Sequence, residues 1–322
     1  MSANDRMPSL WSRRSLLVAL AAGSVTALSG CRVQLEEGAP RLPLVPTRVP
    51  MKDETTLLAV LVNTRSLGLL TNAVAAASTS IAGRLSTVHA TQAAVIARLL
   101  HDGGVPLSLV EASPTPSSSR AASSPATSTP AVSSLAALSA AESGSVKDAS
   151  LADLSIRHVA LIGSLMAQRT AATTLLGGRV GPVTLSDLLA ADAVALLEAV
   201  RSAVYGFEIV ATHIGSRGHA LAMSALTVLR SRASELKTLV GPSGPPPTLG
   251  YQLPFPVTDE SSSRRLALHL LDALLTRQAA ALEGAAGDVK ALAALVRWLG
   301  ETESMASRWG ASLTAFPGLT NG

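Results

Sequence analysis

The stretch that most constrains this chain is GPSGPPPTLGYQLPFPVT, residues 241–258. It holds six prolines, and no helical period survives across it. Proline lacks the N–H that a helix or a sheet ladder needs. The segments on either side are helical by spacing, and each contains one short break, GSRG at 215–218 and GAAGD at 284–288. Short breaks make antiparallel neighbours. Two helical pairs are therefore joined by 18 irregular residues. A helix of about 22 residues is roughly 33 Å long, and 18 extended residues reach up to roughly 60 Å. The connection can run the length of the pairs, so that the third helix starts at the end where the second began. Tyr251 and Phe255 are the side chains expected to pin this strap, with Trp298 and Trp309 expected to receive it.

Composition points the same way. Apolar residues make up 48% of the chain and aromatics 2%. The apolar content is mostly alanine and leucine, the strongest helix formers, and strand-favouring aromatics are scarce. The expected class is all-α. Spacings of three and four mark Leu57, Leu58 and Leu61, then Ile81, Leu85, Val88, Gln92, Val95 and Leu99. These predict a helical hairpin over 53–110, stopped by Gly103, Gly104 and Pro106. A helix within 148–180 carries Leu151, Leu154, His158, Leu161, Leu165 and Leu176, and is expected to pack on the C-terminal helices. Thr184 is the expected N-cap of the next helix, with Val183 and Leu188 as its hydrophobic staple. That helix has the stripe Leu185, Leu189, Asp192, Leu196, Val200, Ala203, Phe207, Val210 and Ile214. Thr258 or Asp259 caps the helix after the strap, and Phe316–Gly318 ends the last one. Residues 111–147 are rich in Ser, Thr, Pro and Ala. Such a segment buries too little apolar surface to offset its ordering entropy, so a disordered linker is expected there, most of all over 113–134.

The N-terminus reads as a removable leader, residues 1–30. A charged start precedes an apolar run from Leu16 to Leu28, shorter than the roughly 20 residues that span a bilayer and suited to a signal-peptide core. SRRSLL at 12–17, with Arg13 and Arg14, resembles the twin-arginine export motif. LSGC at 28–31 resembles a lipobox, which implies that Cys31 is acylated and becomes the mature N-terminus. Cys31 is the single cysteine of the chain, so no internal disulfide can form. Residues 31–52, with four prolines, read as a tether from the lipid to the first helix. The expectation is a protein of the cell membrane, lipid-anchored on its extracytoplasmic face.

Several functions are argued against. The chain has 26 basic and 22 acidic residues. Without Arg6, Arg13, Arg14 and Asp5 of the leader, 23 and 21 remain, and no basic cluster with interleaved aromatics is left, so a nucleic-acid partner is not expected. None of the six histidines lies in a Gly-x-Ser-x-Gly or His-Glu-x-x-His setting. No glutamate is followed by histidine three residues later, as a dimetal bundle requires. His158, on an apolar face, reads as a satisfied buried residue. No catalytic residue, metal ligand or cofactor is assigned.

AVYGFE at 203–208, YQLPFPVTD at 251–259 and FPG at 316–318 resemble a ferritin-like family of unknown function found in actinobacterial lipoproteins. The resemblance covers residues 183–319. It implies a ferritin-like four-helix bundle with one long crossover, preceded by additional helices, and it lends no activity. Aligned to that family, two expected acidic positions hold Val200 and Leu271. Asp192 and Glu303 are the carboxylates left on core stripes, and at 1.5 Å per residue they sit some 12 Å apart in height, too far to share a metal. The expected role is non-catalytic binding or scaffolding with an unidentified envelope protein or ligand, the alternative being a ferritin-like metal or redox enzyme.

Overall fold

The computed structural model describes residues 48–77, 80–111, 134–147, 151, 153–181, 183, 190–242 and 244–319. Chain contacts divide the protein into residues 1–49 and 50–322, and the elements below all belong to the second part. Among the described residues there are nine helices and no strand: α1 Glu54–Ala77, α2 Ser80–Asp102, α3 Leu107–Val110, α4 Leu135–Lys147, α5 Ile156–Leu175, α6 Ala190–His213, α7 Ser216–Val240, α8 Glu260–Gly284 and α9 Val289–Trp309. The all-α expectation holds. The leader, the tether through residue 47, most of the Ser/Thr/Pro segment and the Thr184 cap lie outside the described residues.

Local sequence sets the helix ends where side chains can reach the backbone. Asp259 accepts from Ser262 N, and Ser262 Oγ accepts in turn from Asp259 N, so two orphan donors at the start of α8 are satisfied together. Asp288 accepts from Lys290 N and Ala291 N at the start of α9. α9 ends at Gly310, whose φ of 103° is left-handed. It does not run on to Phe316–Gly318 as the sequence suggested. Those residues form a tail that turns back into the core, where Ser164 donates to the Pro317 carbonyl at 2.7 Å and Gln92 to the Ala315 carbonyl at 2.9 Å.

α6 packs on α7 and on α8, and α8 on α9. Gly206 lies against Leu270 and Gly215 against Glu260, so α6 and α8 run antiparallel. The strap runs beside α6 from its middle toward its C-terminal end. Pro245 O accepts from Arg201, Tyr251 meets Tyr205 with ring centroids 5.8 Å apart, and Phe255 meets His269 further along. From Tyr251 to Thr258, residues alternate between half-buried and exposed, the period of an extended chain laid on a surface. Trp298 and Trp309 do not receive it. Trp298 lies under Arg232, 5.5 Å from the guanidinium carbon, and Trp309 stands edge-on to Phe207.

One further expectation is corrected. Residues 135–147, placed in the disordered linker, form α4. The sequence LAALSAAESGSVK is rich in Ala and Leu, and α4 gains its packing from α5 and α1, with Leu138 and Glu142 fully buried. α5 packs on α9 and α8 and is deeply enclosed. Every residue from Ile162 to Thr173 is buried, because α9 and α8 cover one side and α4 the other. Gly300 allows the closest approach: a Cβ there would lie 2.5 Å from the Ala167 carbonyl oxygen. Among the described residues one helix, residues 54–75, is long and apolar enough to cross a membrane, and 39% of its apolar window is buried in the fold.

Candidate functional site

Polar side chains gather in three places. The first is a sealed seam between α1, α2, α4 and α5. Arg169 donates to Thr64 Oγ1 at 2.6 Å. Gln92 donates to Gln168 Oε1 at 3.0 Å, while its own Oε1 faces His89 Nδ1 at 3.2 Å. His89 Nε2 meets Glu142 Oε1 at 2.7 Å. Because the Gln92 amide nitrogen points at two acceptors, its oxygen must accept from His89. Nδ1 therefore donates to Gln92, and Nε2 faces the Glu142 carboxyl. Burial lowers the Arg169 pKa to about 10, against the pull of the Glu142 charge. Glu142 Oε2, Gln168 Nε2 and Arg169 Nε have no hydrogen-bond partner. All six side chains are at most 1% exposed, so no substrate reaches them. The seam is a structural lock.

The second grouping brings Asp53, Ser155 and His158 together at the start of α5. Asp53 Oδ2 accepts from Ser155 N at 3.0 Å, from His158 Nδ1 at 2.8 Å and from Ser155 Oγ. Burial pushes the Asp53 carboxyl up, but the hydrogen bonds from Ser155 and His158 outweigh it and hold it below the usual range. A nucleophilic relay needs serine on one imidazole nitrogen and the carboxylate on the other. Here Ser155 Oγ lies 3.3 Å from the same Nδ1 that Asp53 holds. The cluster caps α5 with a carboxylate borrowed from the residue before α1, and His158 is a satisfied core histidine. The adjoining hollow, about 570 Å³, is rimmed by Lys52 and Arg157 but also by Asp102, so it selects no sign of charge.

The third is a cleft of about 450 Å³ where α5, α9, the end of α4 and the segment after α5 meet. Its walls are Val146, Leu151, Met166, Val180, Val183 and Val296. Thr170 and Thr173 also line it, but their hydroxyls donate to the Met166 and Arg169 carbonyls of their own helix, which leaves carbon facing inward. Two cations lie at the rim, Arg179 and Arg297, and no carboxylate among the described lining residues. Arg297 donates to the Val180 carbonyl at 3.2 Å and to Glu301 at 2.6 Å. Glu301 is shared, since its other oxygen takes the buried Arg232 at 2.8 Å. One carboxylate thus faces two guanidinium groups. A preformed apolar pocket with a few convergent polar groups is the usual form of a small-molecule site. No single run of sequence signals this cleft, because its walls come from four separate segments.

Of the residues singled out from sequence, Cys31, Arg13 and Arg14 lie outside the described residues. Tyr251 and Phe255 are half-buried. Tyr251 donates to Glu198 at 3.3 Å, and Phe255 lies 3.9 Å under the Arg265 guanidinium carbon. Val200 and Leu271 are fully buried among hydrocarbon. Asp192 is half-buried in the first turn of α6. Glu303 is buried and accepts from Thr314 N at 2.8 Å and from the Thr314 hydroxyl. Burial pushes its carboxyl up, with the Thr314 hydrogen bonds acting against. Among the described residues no three His, Cys, Asp or Glu side chains are grouped so that they could hold a metal ion.

Residues 191–321, from the second residue of α6 into the tail, match a family model described as Domain of unknown function (DUF4439). α5 and the helices before it lie outside the match. No curated protein and no solved structure matches the chain. The cleft straddles the boundary of the matched domain, with α9 supplying one wall and residues 143–183 the others.

Proposed function

We propose that this chain is an extracytoplasmic lipoprotein of the cell membrane that binds a ligand and does no chemistry on it. In this reading Arg13 and Arg14 belong to a twin-arginine export leader, and Cys31 carries the lipid. Residues 183–319 form a ferritin-like four-helix bundle with one long crossover. The antiparallel α6 and α8 and the strap along α6 support that bundle. The observation that carries the binding role is the cleft, which is preformed, apolar inside and cationic at its rim, beside polar clusters that serve only to hold helices together.

The location is tested by replacing Cys31 with Ala. The variant is expected to leave the membrane fraction or to keep its leader, while a normally processed, membrane-bound Cys31→Ala protein would sink the lipoprotein reading. The non-catalytic role is tested by elemental analysis of protein purified without chelator. The expected result is no stoichiometric iron, manganese or zinc. Two metal equivalents per chain, lost on changing Glu303 to Ala, would replace this reading with a ferritin-like metal enzyme.

A further inference from the structure

We infer that the ligand of the cleft is a single-chain fatty carboxylate, its hydrocarbon between α5 and α9 and its carboxylate at Arg179 and Arg297. The inference rests on the binding role proposed above and adds the chemical class of what is bound.

The interior decides the first half of this. Val146, Leu151, Met166, Val183 and Val296 present apolar side chains, the threonine hydroxyls donate to their own helix, and Ser143 adds one further hydroxyl to the lining. A polar ligand entering here would lose its water and regain few hydrogen bonds in return. A hydrocarbon chain loses nothing on leaving water and gains contact along its length.

The rim decides the second half. Arg179 is exposed and has no ion pair among the described residues. The Arg297 guanidinium is aimed across the cleft by the Val180 carbonyl and one oxygen of Glu301. Glu301 also serves Arg232, whose charge is met by Glu235 as well, so the unmatched cation at the mouth is Arg179. Guanidinium groups match carboxylates through paired N–H donors. A cationic amphiphile would meet like charge at the mouth, and a neutral one would leave the arginines without a partner.

The experiment uses the full chain carrying Cys31→Ser, so that no acyl group of its own can enter the cleft. Saturated fatty carboxylates of eight to sixteen carbons are titrated by calorimetry, beside primary alcohols and alkylammonium salts of equal length. The expected result is one site per chain. Affinity should rise about fourfold per methylene and level off once the chain outgrows the cleft. Carboxylates should bind about tenfold more tightly than alcohols. Arg179→Gln should remove that preference and leave alcohol binding as it was. Ala293→Phe, which places a ring into the cleft from its exposed edge, should abolish both. Val289→Trp, one turn earlier on α9, gives the same test if the first variant does not fold. An absence of saturable binding, ammonium salts binding as well as carboxylates, or binding that ignores both wall-filling variants would each overturn the inference. Selective binding of lysophospholipid with none of free carboxylate would also overturn it. The titration is done on purified protein, so its failure leaves the membrane location standing. A mislocalised Cys31-bearing protein would remove that location without touching the ligand.

Discussion

Between α6, α8 and α9 the interior is filled by Leu196, Val200, Phe207, Leu271 and Leu299, each fully buried. Between α1, α2, α4 and α5 it is filled by Thr64, His89, Gln92, Glu142, Gln168 and Arg169, buried to the same degree. Hydrocarbon contact is non-directional, so the first region accepts any side chain of similar shape. The second accepts few alternatives, because each hydrogen bond needs a donor and an acceptor from different helices at a fixed height. The half built by α6, α8 and α9 gains stability from area. The seam contributes less of it, since burying charge is costly, and instead fixes the register in which the N-terminal hairpin, α4 and α5 come together.

The largest expected effect comes from breaking the seam on one side. Glu142→Ala leaves Arg169 buried without its counter-charge and His89 without its partner, and should cost about 3–5 kcal/mol in denaturant unfolding. Replacing both charges, Glu142→Leu with Arg169→Met, should cost less than Glu142→Ala alone. A double variant worse than the single one would mean that the seam is held by something other than matched charge. Next in size is Phe255→Ala. A buried phenylalanine is worth about 3–5 kcal/mol, but this ring is half-buried and shielded by Arg265, so a loss of about 2 kcal/mol is expected. An unchanged unfolding midpoint would detach the strap from the bundle. Leu271→Met, in the hydrocarbon region, should cost less than about 1.5 kcal/mol, and a larger loss would erase the contrast between the two regions. The smallest effect is a slope. Burial raises the Glu303 carboxyl above its unfolded value. The folded state therefore keeps its proton to higher pH, and stability is lost as pH rises between the unfolded and folded values. Glu303→Gln should flatten that fall, as read from unfolding midpoints across the acidic range.

The legible parts of the sequence were those decided locally. Asp259 caps α8 because its side chain reaches its own third residue, and the α6 stripe from Leu196 to Ile214 is buried as its spacing predicted. What could not be read depends on partners distant in the chain. The polar residues of α5 carry no local mark of burial, and they are buried because Glu142, Gln92 and Thr64 arrive from three other helices. α4 looked like linker for the same reason, since its Glu142 is matched by His89, 53 residues earlier. Phe316–Gly318 read as a helix stop, but the stop was Gly310, and the tail's seat on Ser164 and Gln92 has no local signal. The cleft was invisible for a like reason. Arg179 comes directly after the Gly177–Gly178 break and reads as an ordinary turn residue until α9 is placed beside it.

Asp53 adopts a φ of 66°, the only positive value at a non-glycine among the described residues, and its carboxylate is tied to Ser155 and His158 rather than to its own helix. Consider the chain as a rope under load. A pull arriving from the N-terminal side meets Asp53 before it meets α1, and there it is divided between α1 and the start of α5, the most enclosed helix of the protein. Peeling α1 away one turn at a time would need only weak, successive ruptures. With the load carried through Asp53, the bonds at two helix starts must yield together. A molecule held from this end would resist tugging by shear, and would yield most readily where that single carboxylate is removed.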